Sequence, residues 1–258
     1  MAFIENQLPP SGGLTSSEPF VSAHGRAQLV VFLFLAFIAV ALFSVVSDLL
    51  QVNLLSDALA GAEVSEERAT MNDTRQMAVA LIHLLVYIAL AVAFLFWLHR
   101  ASKNVPALGN PHSRVEFTPG WAVGWFFVPL ANLFMPYKAV REVWEKSDPA
   151  IKSEDDIMFT PPASAPLLLG WWVTWITMNV LGRITSRFQS DAATIDTMIW
   201  VTWVDVVGDV IGIISAVLAI FVVRGIDRRQ AERARHVAYV PHTPPPPPLF
   251  TPPPPQSA

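Results

Sequence analysis

The sequence predicts an all-α integral membrane protein: four transmembrane helices, a re-entrant or half-membrane helical segment, and an interfacial amphipathic helix. Three observations carry this. The 258 residues are 53% hydrophobic and only 15% charged, a balance foreign to soluble domains of this size. Four apolar stretches reach bilayer length. A fifth is apolar but short, and two prolines interrupt it.

Residues 1–24 hold Pro, Gly and Ser clusters without periodicity and read as a flexible arm. The first cation is Arg26, after Glu5 and Glu18, which is not the shape of a cleaved signal peptide, so the first span reads as an uncleaved anchor. A bilayer core of about 30 Å needs roughly 20 apolar residues in a helix. Ala27–Ser47 has no charge, and its length corresponds to roughly 32 Å of helix. Met77–Leu98 is the second span and contains His83. Ala165–Leu181 is short, apolar and rich in Trp. Ile199–Val223 is long and contains Asp205 and Asp209. Backbone groups find no water in lipid, so all four must be helical. These spans fall in a membrane domain covering 25–236, and 237–258 is a proline-rich tail.

The broken stretch lies between the second and third spans. Residues 121–135 would extend about 22 Å as one helix, and Pro129 would remove a donor and bend it. Charge arbitrates its path. If it returns, 13 of the 17 Lys and Arg share one face, leaving Arg68, Arg75, Arg183 and Arg187 on the other. If it crosses, the better split is 11 to 6. The positive-inside rule therefore favours four spans with both termini cytoplasmic, and a kinked fifth span is the alternative. Residues 136–147 follow, with Tyr137, Val140 and Trp144 on one helical face and oppositely charged i,i+4 pairs elsewhere. That pattern suits a helix lying in the interface plane, or one packed on another part of the protein. The basic run 224–236 reads first as an orientation signal and second as a site for anionic lipid. The tail favours polyproline II, which could dock an aromatic groove of a protein partner or serve as a spacer.

The stretches "FWLHRASKN" and "FTPGWAVGWFFVPLANLFMPYKAVREVW" resemble the signature of the DUF4328 family, bacterial multi-pass membrane proteins without an assigned activity. The matching residues are Trp97, Arg100 and Asn104, then Pro119, Gly120, Trp121, Gly124, Trp125, Pro129, Asn132, Pro136 and Tyr137. The resemblance implies a bacterial inner-membrane location.

Two groups of residues are candidate sites. His83, Asn179, Asp205 and Asp209 fall in the outer half of the bundle. His83 lies about 9 Å inside the outer end of its helix, and Asp209 about 21 Å from the inner end of its own, which sets them at similar depth. Such groups in lipid face the bundle and pair. They form either a proton or cation path or a structural hydrogen-bonded pair, and Asp205 reads as interfacial. Arg100, Asn104, Pro129, Asn132 and Tyr137 form an inner-face group. Its expected role is to supply donors to the backbone broken at Pro129, and its alternative role is to bind an anionic headgroup or solute.

The sequence implies no cofactor and no metal. Only His83 lies well inside a span, too few for a bis-histidine haem, and two carboxylates are too few for a cation cage. There is no Cys, and no catalytic motif points to an enzyme. A net charge of −4 argues against nucleic acid. Two function classes remain: a non-enzymatic membrane scaffold or regulatory partner, and a small channel or transporter, for which a homo-oligomer in the lipid bilayer is one arrangement.

Overall fold

The computed structural model describes residues 19–108, 115–150, 165–189 and 194–239. The expected arm over residues 1–18, the tail beyond Tyr239, Arg114 and Lys152 lie outside them. Among the described residues all regular structure is helical. Six α-helices follow in chain order: α1 (His24–Leu59), α2 (Glu66–Asn104), α3 (Pro119–Gly124), α4 (Met135–Lys146), α5 (Ala165–Gln189) and α6 (Ile195–Tyr239).

Four of them, α1, α2, α5 and α6, are long and apolar enough to cross a membrane. Each contains one expected span and continues beyond it. At 1.5 Å per residue, the 36 residues of α1 extend about 54 Å. The α1–α2 hairpin closes on Gly61 at φ 84°, a left-handed position that suits glycine. Ser65 then caps α2 by accepting from Arg68 N–H, with Glu66 and Glu67 in the first turn. At the other end of the chain, α6 continues past the expected boundary at residue 236.

The packing order is α2–α1–α6–α5. α2 and α6 touch little, and α2 and α5 make at most marginal backbone contact, so a gap separates those two helices. The end of the bundle that carries the start of α1 and the finish of α6 is called the base. There the broken segment fills the gap. Phe126 packs edge-on against Phe94 of α2 and against Trp172 and Trp175 of α5. The largest fully buried side chains cluster in this half and include Trp97, Leu98, Val30, Val140, Val223 and Ile226. In the distal half the gap stays open.

The broken segment runs through α3, a 3-10 turn at Trp125–Phe127, a bend, a second 3-10 turn at Ala131–Leu133, and α4. Thr118 caps α3, and Pro119 sits in its first turn. The Glu142 carboxylate of α4 accepts from the backbone N–H groups of Glu116 and Phe117 (3.1 Å for the latter). The two ends of the segment are thereby tied together at the base. Its tip is apolar and open, with Phe127, Leu130 and Phe134 exposed. Leu130 takes φ 63°, a conformation unfavourable for a non-glycine residue.

α4 is amphipathic, and the protein itself covers its apolar face. Val140, Val143 and Trp144 are buried against the bundle, and Ala139 is buried against Phe117 and Ala122. Trp144 lies so close to α6 that any Cβ at Gly225 would collide with its ring. Packing on another part of the chain, rather than on lipid, therefore describes this face.

Candidate functional site

Two polar clusters lie at opposite ends of the bundle. The base cluster is dense. Gln230 of α6, 2% exposed, accepts from Asn104 Nδ2 at 3.1 Å and donates to Ala101 O at 2.8 Å and Ser147 Oγ at 3.1 Å. Asn104 Oδ1 accepts from Val21 N–H. Arg233 donates to the carbonyls of Leu108, Lys146 and Asp148, at 3.0, 3.4 and 2.6 Å. Arg229 lies 4.1 Å over the Trp144 ring and pairs with Asp148 at 3.0 Å. Two arginines of the basic run thus hold the end of α4.

The inner-face group divides. Arg100 Nε donates to Val21 O at 3.3 Å, and Asn104 reaches Val21 and Gln230. Neither serves the backbone around Pro129, which corrects their expected role. Instead they pin residue 21, just before α1, so the expected flexible arm is tied down there. The donor that reaches the broken segment is Trp172 Nε1, 3.0 Å from Leu133 O. Within the segment, Pro129 O accepts from Ala131 N–H and Val128 O from Asn132 N–H. Pro136 is buried in the first turn of α4, and Tyr137 packs near Trp172. Trp121 and Trp125 pack at 4.7 Å. At Gly124 a Cβ would lie 3.3 Å from the Trp121 ring, whereas at Gly120 it would meet nothing within 4 Å. Trp97 is fully buried beside Phe94.

The distal cluster surrounds a cavity of about 780 Å³ lined by α1, α2, α5 and α6. His83 Nδ1 lies 3.9 Å from Asp209 Oδ1, and the His83 ring packs edge-on against Phe37 at 5.1 Å. Ser44 and Asp209 line the same cavity. Asn179 donates to Trp175 O at 2.8 Å. Asp205 lines the same cavity and lies within electrostatic reach of Asp48, as does Asp209. The cavity therefore gathers all four residues of the expected outer cluster.

Sequence reasoning did not reach Ser44, Asp48, Gln51, Gln76 and Thr202, which complete the wall. Gln76 donates to Asp48 Oδ1 at 3.1 Å, and Gln51 donates to Thr202 Oγ1 at 3.1 Å. Arg75 donates to Ser47 Oγ at 2.9 Å and Asn72 Oδ1 at 2.6 Å. Asp48 falls one residue beyond the expected first span, and its position just outside an apolar run was the available signal. Below the cavity lies a smaller recess, about 200 Å³, walled by Phe34, Leu90, Phe94, Phe126, Trp171 and Trp175. No group of three or more His, Asp or Glu able to hold a metal occurs among the described residues.

Residues 60–228 match the family model described as "Domain of unknown function (DUF4328)". The chain belongs to this family. The DUF4328 match begins just before α2 and ends within α6, so it covers the broken segment and His83, Asn179, Asp205 and Asp209, while Arg229, Gln230 and Arg233 of the base lie beyond it. Comparison with curated proteins and with solved structures finds no match.

Proposed function

We propose that this DUF4328 protein is a non-enzymatic membrane receptor or regulatory scaffold that binds a ligand in its distal half and does not conduct it. One observation carries this reading. The charged cavity ends on the aromatic recess and the Phe126 wedge, and the base below is filled by packed side chains and paired polar groups. A channel or transporter needs a wet path from His83 and Asp209 onward. Asn132 instead lies in the exposed turn of the broken segment, away from that cavity.

The positive-inside argument sets the base in the cytoplasm of a bacterial inner membrane, with the cavity facing outward. The broken segment then enters from the cytoplasmic side and returns, its apolar tip in lipid. The tie between Glu142 and residues 116 and 117 supports that path. Irregular backbone at membrane depth needs protein cover, and Trp172 supplies part of it. The proline-rich tail would present a cytoplasmic docking segment to a protein partner.

The chain has no Cys, so single-cysteine variants test this directly. With an impermeant maleimide, Ser186→Cys at the cavity rim is expected to label only from outside, and Lys138→Cys on α4 only from inside. Proteoliposomes should show no cation or proton flux. Labelling of residue 138 from outside would replace the returning segment by a fifth span. Flux abolished by Asp209→Asn would replace the receptor by a transporter.

A further inference from the structure

We propose that the groove between α2 and α5 binds a single-chain cationic amphiphile, with its ammonium head beside Asp48, Asp205 and Asp209 and its chain along the aromatic recess. This rests on the reading of the distal cavity as a binding site and names its ligand class.

Continuity comes first. The polar cavity and the apolar recess share Phe37, Tyr87 and Met178 in their walls, so the two spaces adjoin, one polar and one apolar. The lining of the upper part carries three carboxylates against Arg183 and His83, with Arg75 close behind Asp48 at Ser47. The lower part is lined mostly by aromatic and aliphatic side chains. A ligand that fits both parts has a positive head and an apolar chain.

The type of cation follows from the geometry. A small metal ion needs several oxygens closed around it at about 2.0–2.6 Å. Here no such grouping exists among the described residues, and Gln76 already donates to Asp48. A space of about 780 Å³ suits a bulky, weakly hydrated ammonium instead. Phe37 and Tyr87 line both parts and bring aromatic side chains to their junction. The route of entry is also apolar. Met77, Leu84 and Phe127 on the groove wall are 74%, 54% and 71% exposed, so the groove opens sideways toward lipid. An amphiphile dissolved in the leaflet reaches it without crossing water.

The test uses the full chain in phosphatidylcholine nanodiscs with radiolabelled dodecyltrimethylammonium, against empty discs. Saturable binding is expected, with one molecule per chain. Tetramethylammonium and sodium dodecanoate should each compete at least about tenfold less well than unlabelled ligand. The double variant Asp205→Asn/Asp209→Asn should weaken binding at least about tenfold while keeping the parental melting profile. Absence of a saturable component would overturn the proposal, as would equal competition by dodecanoate or by tetramethylammonium. Labelling of Ser186→Cys from outside separates the two levels. If it persists when binding fails, the ligand class is wrong and the outward cavity stands. If it fails as well, the cavity reading falls and the amphiphile with it.

Discussion

The base and the distal half contain similar residue types and treat them differently. At the base, Gln230, Asn104, Ser147 and Arg233 are buried, and each is hydrogen-bonded. In the distal half, Ser47, Asp48, Asn72 and Thr202 are buried and bonded in the same way, but Asp209, His83 and Asn179 are half-buried around open space. The cause is the broken segment. It inserts Phe126 between α2 and α5 near the base, which closes the gap there and brings α4 under α6. Among the described residues nothing comparable enters the gap above. Polar side chains in a closed space act as fasteners, and the same chemistry around an unfilled space becomes a candidate binding site.

The comparison breaks most readily at the base. Arg233→Ala leaves three carbonyl acceptors without their charged donor and should cost about 3 kcal/mol. Denaturant unfolding in detergent measures it, and a loss comparable to Asp209→Asn would erase the distinction between the two halves. Gly225→Ala comes next. Its methyl must displace the Trp144 ring that Arg229 covers, so overpacking should cost roughly 1–3 kcal/mol. A parental melting profile would mean that α4 is loosely seated.

Leu130→Gly should act in the opposite direction. Relief of the left-handed φ contributes roughly 1 kcal/mol, reduced by the entropy glycine gains when unfolded. A destabilised variant would show that the Leu130 side chain, exposed at the segment tip, anchors the segment more strongly than the strain opposes it.

The distal half should give the smallest effects. His83 and Asp209 face each other at 3.9 Å, and a double-mutant cycle with Ala should show coupling of about 0.6 kcal/mol. Strict additivity would remove the pair. Arg100→Ala should fall below about 0.5 kcal/mol, because its single hydrogen bond to Val21 is exposed. A loss as large as that of Arg233→Ala would return Arg100 to a supporting role at the broken segment.

Much of this was legible in the chain. Span number followed from apolar length, because bilayer thickness and helical rise leave little choice. The family followed from the tryptophan, glycine and proline pattern over 97–137. The similar depth of His83 and Asp209 followed from counting residues. The partners of Asn104 did not, since its chief partner Gln230 is 126 positions away. Nor did the burial of α4, because an amphipathic face reads alike whether lipid or protein covers it.

The sequence by itself determined how many helices are long enough to cross, where they break, and how deep each polar residue sits, because those quantities run along the helix axis. Only the tertiary structure decided what each residue faces around that axis. α1 has no charged residue across the membrane, so its own pattern does not fix its rotation, and in α6 Asp205 and Asp209 mark one inward face without naming the helix it meets. Rotation came from packing: the neighbours of α1 and α6, and the wedge of Phe126 that closed one end of the gap and left the other open.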